Sequence, residues 1–346
     1  MIGSTPVPVR CRERATMHYP ALDGLRGFAA MAVVFSHASN ANVGVIYGVP
    51  LAGLGRVAVW LFFVLSAFLL TQQALVAVRT GDAGYRTWLA GYAVKRFLRI
   101  YPLLACALAL DVRLGRISPD DMYRTVLLGP APGIYWSIEP ELVFYFVMPV
   151  LAWLAYRSPL AGGLLMVALA VYGEALPFAL RFLPLASTLV VGSFAALLFE
   201  WRPRVAKTIA SAWPVVFVIT PFMLEAPVSA LAPSLLGQRP WDWNLSIGVA
   251  WVPVVFACAL GLRPMATFAT RPMRFLGAIG FGTYLLHPVI VSGAVVAGLA
   301  GRVWAGPVVL AAVIVAAWLA HIIIEKPALG AADWFEQRRR RHLRLA

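Results

Sequence analysis

The sequence predicts an all-α, polytopic integral membrane protein with about ten transmembrane helices and both termini in the cytoplasm. Three observations carry this expectation. Of 346 residues, 61% are hydrophobic and only 13% are charged, whereas a soluble domain is about 25% charged and less than half apolar. Apolar runs of membrane-spanning length recur from one end of the chain to the other, and the mean hydropathy is +0.80. Basic residues gather in the short segments between alternate runs, which is the positive-inside pattern. Period-2 alternation is absent and the runs are too long for barrel strands, which excludes a transmembrane β-barrel.

Residues 1–18 read as a cytoplasmic segment. Arg10, Arg12 and Arg14 precede an apolar run as in a signal peptide. That run is long and lacks a small-residue cleavage site, so it reads as an uncleaved first span. Ten spans follow near 22–43, 54–78, 99–112, 134–156, 160–180, 184–200, 208–224, 245–263, 275–298 and 303–324. The third is short, and the sixth and seventh are marginal. With the N-terminus inside, the cytoplasmic segments carry Arg79, Arg86, Lys95, Arg96 and Arg99, then Arg157, then Arg202, Arg204 and Lys207, then Arg263, Arg271 and Arg274. The opposite side receives Asp111, Asp120, Asp121, Glu225 and Asp242 with fewer arginines. One transmembrane domain therefore runs over 19–327, followed by a basic cytoplasmic tail at 328–346 that includes Arg338–Arg341.

The net charge of +14 is distributed as topology signals, and the tail suits anionic lipid heads. No aromatic–basic platform points to nucleic acid. Cys11, Cys106 and Cys258 are far apart, so neither a metal site nor a disulfide framework is expected, and Cys106 and Cys258 read as small core residues. The surroundings expected are a lipid bilayer, specifically the inner (plasma) membrane crossed many times. The oligomeric state is open.

Ionisable groups inside apolar spans are costly and mark functional sites. Arg26 and His37 lie eleven residues apart in the first span, nearly three helical turns, so they share a face about 16 Å apart along the axis. His37, Glu141 and His287 reach depths of about 22, 20 and 18 Å above the inner face by helix rise. His37 has the chemistry of a general base, which a carboxylate would orient. Its bland reading is a histidine bonded to a neighbouring helix. Arg26 either fixes an anionic ligand or snorkels to the inner face.

Glu139 and Glu141 flank Pro140, which marks a helix start or kink. Glu139 reads as interfacial, Glu141 as deeper. His287 precedes Pro288, a kink expected in the ninth span, and the histidine reads equally as structural or functional. Arg96 and Arg99 form an i, i+3 pair whose planar guanidinium groups suit phosphates at the cytoplasmic surface. Their alternative is topology anchoring. His321 and Glu325 read as a salt-bridge cluster at the inner end of the last span, and Ser66 as a packing hydrogen bond. No phosphate-binding loop, Gly-x-Ser-x-Gly elbow or His-Glu-x-x-His zinc motif is present.

Six segments in order resemble the membrane acyltransferase 3 family, the ten-span O-acyltransferases. They are Tyr19 to Gly27 with His37, Phe62 to Phe68, Arg96 to Pro102, Trp136-Ser137 with Glu141 and Phe144-Tyr145, Tyr284 to Pro288, and Glu325-Lys326-Pro327. The resemblance covers most of the chain. It implies that Arg26 and His37 are the essential pair, that Arg96 and Arg99 meet acyl-CoA, and that Glu141 is the glutamate of the tryptophan–serine motif. It brings Asp23, Glu139, Trp136, Ser137, Tyr284 and His287 into the candidate site. The chain departs from the pattern at Ala67, where glycine is usual, and at Glu139-Pro140, which adds a second carboxylate.

The resemblance implies an enzyme that moves an acyl group, acetyl first, from cytoplasmic acyl-CoA to a hydroxyl of a cell-surface carbohydrate, as in polysaccharide modification of the cell envelope. Acyl-CoA is then a co-substrate, with no tightly bound cofactor and no metal. His37, oriented by Glu141, either deprotonates the hydroxyl or is itself acylated. Two other acceptors or activities stay open at this stage. One is O-acylation of a macrolide or other glycosylated small molecule. The other is a transporter of glycan or acyl groups without chemistry.

Overall fold

The computed structural model describes residues 18–43, 51, 53–175, 182–220 and 244–345. The expected features at Arg10, Cys11, Arg12 and Arg14, at Glu225 and Asp242, and the ends of the fifth and seventh expected spans fall outside the described residues. So do the side chains of Arg340 and Arg341. Every regular element among the described residues is helical.

Helix α1 is Pro20–Asn40. Pro20 opens it where no amide hydrogen is needed, and Asp23 sits favourably in the first turn. Asn42, at φ 56°, turns the chain out of it, a left-handed position that asparagine tolerates. Helix α2, Leu54–Val78, is strongly apolar and begins after Gly53 at φ 89°. Helix α3, Gly81–Arg113, is 33 residues long. The short surface helix α4, Pro119–Val126, starts with a capping box between Ser118 and Asp121.

A 3-10 turn, Gly133–Ser137, leads into α5, Ile138–Arg157. Pro140 lies in the first turn of α5, where backbone N–H groups lack helical partners anyway. Then come α6 (Pro159–Ala175), α7 (Phe182–Trp201), α8 (Pro203–Ala210), α9 (Trp213–Ile219) and α10 (Asn244–Ala259). A 3-10 segment, Arg263–Ala269, connects to α11, Arg271–Ala278, and α12, Gly280–Val296. Helix α13, Ala305–Ala320, continues through a π-helical turn, His321–Glu325, into α14, Lys326–Leu345.

Three of these helices are long and apolar enough to cross a membrane. Two further pairs qualify if each bent pair counts as one crossing: α10 with its 3-10 segment, bent by 85°, and α11 with α12, bent by 69°. The bend before α12 falls at its first residues. That bend lies about two turns before Pro288, the proline at which a kink is expected and which lies inside the helix. Large apolar side chains such as Phe146, Val150, Leu160 and Val296 point outward, the surface a membrane protein presents to lipid. The tail expected at 328–346 is helical as far as Leu345. It packs along α3, with Lys95 Nζ 3.2 Å from Asp333 and 2.6 Å from Glu336.

Helix α2 occupies the centre, between α1, α5, α7 and α10. Trp60, Phe68 and Phe256 are fully buried in this core. Two features hold α1 in place. Gly24 and Gly27 meet the backbone of the 3-10 segment and α11 so closely that a Cβ on Gly27 would lie 2.5 Å from the Gly277 nitrogen. A Cβ on Gly277 would in turn lie 1.9 Å from the Asp23 carbonyl oxygen. Small residues permit this approach, the usual basis of helix association in lipid. Ion pairs occur at both ends of the bundle. At one end Arg79 pairs with Glu200 at 2.7 Å and Arg157 with Asp82 at 2.8 Å; at the other, Arg116 pairs with Asp111 at 2.9 Å.

Candidate active site

Because α1 is continuous, the eleven-residue spacing of Arg26 and His37 becomes a rise of about 16 Å. The two side chains line different cavities. The arginine cavity, about 620 Å³, is lined by Arg26, Arg96, Arg99, Asp23 and Glu141. The histidine cavity, about 450 Å³, is lined by His37, Arg56, Asp111, Arg116 and Trp136. Val59 and Tyr284 line both, so they form the wall between them.

Four arginines line the first cavity: Arg26 of α1, Arg96 and Arg99 of α3, and Arg274 of α11. Asp23 lies 3.9 Å from Arg26 and 2.7 Å from His18. Arg96 rests over the rings of Tyr92 and Tyr145, at 5.9 and 5.7 Å. Its Nε is buried without a hydrogen-bond partner among the described residues. Arg99 reaches Glu325 of the π-helical turn at 3.6 Å, and His321 Nδ1 lies 2.5 Å from the same carboxylate oxygen. The salt-bridge cluster expected at His321 and Glu325 is therefore present, with Arg99 as an added member. Arg96 also rims a third, largely apolar groove between α3 and α5, about 830 Å³.

Glu141 belongs with the arginines. Its Oε1 accepts a hydrogen bond from the Tyr145 hydroxyl at 2.5 Å, and it lines the arginine cavity, on the far side of the wall from His37. The depth argument put Glu141, His37 and His287 on one level. The structure joins only the two histidines, whose rings meet edge to face with centroids 4.8 Å apart. Glu139 is half-buried and, unlike Glu141, is not among the residues that line the arginine cavity.

The wall is held by hydroxyl groups. The Tyr284 hydroxyl donates to the Ile134 carbonyl at 2.7 Å and lies 2.8 Å from Ser137 Oγ. Trp136 packs its ring on Trp60 at 5.5 Å and carries the Arg56 guanidinium 5.9 Å above it. His37 itself is exposed to its cavity, whereas His287 is fully buried.

Sequence reasoning missed Asp111 as a site residue. It is buried at the end of α3, where the Tyr135 hydroxyl donates to it at 2.8 Å and Arg116 pairs with it. Arg116 also donates to Ser292 of α12. An aspartate at the close of an apolar run was the available signal. Arg56 and Tyr145 were missed as well, and neither stands out by spacing alone. Among the described residues no group of three or more metal-ligating side chains occurs.

An acyltransferase-domain family matches this chain over residues 19–322. Nodulation protein 10 of Rhizobium leguminosarum bv. viciae is 25% identical over 369 aligned positions, spanning 92% of this chain and 95% of that protein. No solved structure matches.

Proposed function

The chain belongs to this acyltransferase family, and from that premise we propose that it is a membrane O-acyltransferase carrying an acetyl group from cytoplasmic acyl-CoA to a hydroxyl of a carbohydrate acceptor. Membership also sets aside a transporter without chemistry. The observation that carries the reading is the pair of cavities sharing one wall, with Arg26, Arg96 and Arg99 on one side and the exposed imidazole of His37, beside Arg56, Asp111 and Arg116, on the other.

Arg26, Arg96 and Arg99 suit the phosphates of acyl-CoA, and all three line the same cavity. A pantetheine arm is an extended chain of about 15–20 Å. That length matches the rise from Arg26 to His37, so the thioester reaches the wall at Tyr284. On the other side, the Trp136 ring beside Arg56 and Asp111 offers an apolar face with polar groups around it, a combination suited to a sugar. His37 takes the proton from the acceptor hydroxyl as its oxygen attacks the thioester carbonyl. The carbon–sulfur bond breaks, and the departing thiolate recovers the proton. Glu141 balances the arginines on the donor side and does not orient His37.

Topology follows from charge. The end carrying Arg79, Lys95 and Arg157 faces the cytoplasm, with about ten crossings of the plasma membrane and both termini inside. The test is transfer of radiolabelled acetyl groups from acetyl-CoA in membranes of expressing cells, wild type beside His37→Ala. Label entering a glycan-containing fraction only with wild type supports the reading. Undiminished transfer by a folded His37→Ala protein refutes the role of His37.

A further inference from the structure

We infer that His287 is a positioning residue for His37: it accepts a hydrogen bond from one ring nitrogen of His37 and so turns the other, as a lone pair, toward the acceptor cavity. The inference rests on the reading of His37 as the base.

The argument begins with Pro288. Proline has no amide hydrogen, so the carbonyl four residues earlier in the helix loses its partner. That carbonyl belongs to Tyr284. His287 supplies the missing donor: its Nδ1 lies 2.7 Å from the Tyr284 oxygen and 3.2 Å from the Thr283 oxygen. A carbonyl can only accept, so Nδ1 carries the hydrogen, and in the neutral ring Nε2 is then a bare acceptor. The tautomer is set by the neighbouring proline.

That acceptor is in an unusual place. His287 is fully buried, and its Nε2 has no hydrogen-bond partner among the described residues. A buried polar atom left unpaired is costly and calls for an explanation. The ring facing it is His37, with centroids 4.8 Å apart and planes at 71°. Two imidazoles joined by an N–H···N bond of about 2.9 Å have centroids about 5 Å apart, given about 1.1 Å from each centroid to its nitrogen. The separation therefore already fits the bond, and rotation of the exposed His37 ring about its terminal torsion, a soft coordinate, completes it. His287 would then do for His37 what a carboxylate does elsewhere, fixing its tautomer and its direction. This also accounts for the absence of Glu141 from the His37 cavity.

Two amide substitutions separate the roles of the two ring nitrogens. His287→Asn keeps a donor near Nδ1, and with it the Tyr284 anchor, but loses the acceptor at Nε2. His287→Gln places an amide oxygen near Nε2 and gives up the anchor. The readout needs no acceptor substrate: it is the rate at which diethyl pyrocarbonate carbethoxylates His37 in detergent-purified full-length protein, followed by mass spectrometry of its peptide. A ring held with its free nitrogen outward reacts fastest. His287→Asn is expected to slow His37 by about three- to tenfold, the net worth of one hydrogen bond, while His287→Gln stays within about twofold of wild type. Wild-type reactivity in the Asn variant overturns the inference, as does equal loss in both variants, which would leave His287 a mere anchor. If the Asn variant does not fold, the Gln variant decides alone by keeping or losing the rate. Should the wild type transfer no acetyl group while its His37 still depends on His287 in this way, the proposed function fails and this inference stands.

Discussion

Removing Arg99 tests whether the arginine cavity is a structural cluster or a ligand site. Its guanidinium lies 3.6 Å from Glu325, whose side chain is 1% exposed. At that distance and an effective dielectric near 20, the attraction is about 4–5 kcal/mol before desolvation is counted. Breaking a buried pair by deleting one partner costs about 3–5 kcal/mol, because the other charge is stranded. Here His321 still holds the carboxylate at 2.5 Å, so Arg99→Ala is expected to cost no more than the bottom of that range, about 2–3 kcal/mol. Glu325→Gln added to it removes the stranded charge and is expected to restore at least half of that loss. Cys106, expected as a core residue, is exposed; with it and Cys11 changed to serine, buried Cys258 offers the assay, because a thiol-reactive fluorogenic dye then reports its exposure during heating of the purified protein. A double variant no more stable than Arg99→Ala refutes the stranded-charge reasoning. The same two proteins then separate structure from binding. If the stabilised double variant also regains wild-type affinity for acetyl-CoA, Arg99 only supports the fold; continued weak binding makes it a phosphate contact beside Arg96.

Two other perturbations follow from the geometry. Gly27→Ala puts a Cβ 2.5 Å from the Gly277 nitrogen and 2.7 Å from the Met273 carbonyl oxygen. Neither backbone atom can step aside, so α1 must move off α11, at a cost of about 1–3 kcal/mol; an unchanged Cys258 melting curve would mean the two helices do not interlock. In the α4 capping box, the Ser118 hydroxyl and backbone N–H donate to Asp121 and hold its carboxyl below the usual 3.8. A depressed carboxyl stabilises only while ionised, so amide protection of α4 is expected to hold down to that range and fade as pH falls below it. Protection that is already lost near neutrality would show that the box does not form.

The sequence was most informative where one helix carried the whole argument. Along α1, residue spacing converts directly to distance, and Arg26 and His37 fall where the rise puts them. Between helices the same arithmetic gives depth but no lateral position, which is why Glu141 was grouped with His37 although a wall separates them. Two of the helices that carry the site are hard to recognise as spans by composition, although α5, which carries Glu141, is not. Asp23, Arg26 and His37 lie in α1, and Arg96, Arg99 and Asp111 in α3. Neither helix is among those apolar enough to qualify by composition. The charges that make the site are the charges that mask the crossing.

One feature of the site was written locally in the sequence and needed no neighbouring helix to read. A histidine followed by proline inside a spanning helix faces a carbonyl, three residues back, that the proline has left without a donor. In lipid such a group cannot turn to water, so the imidazole is drawn to it, and the ring is left with a single bare nitrogen. Tyr284 to Pro288 contains this logic in full: the carbonyl of the residue whose hydroxyl latches the wall also fixes the histidine beneath His37. The wall between the two cavities and the contact of His287 with His37 thereby meet in one helical turn of α12. The chemistry of a buried histidine is better predicted from the residue after it than from its depth.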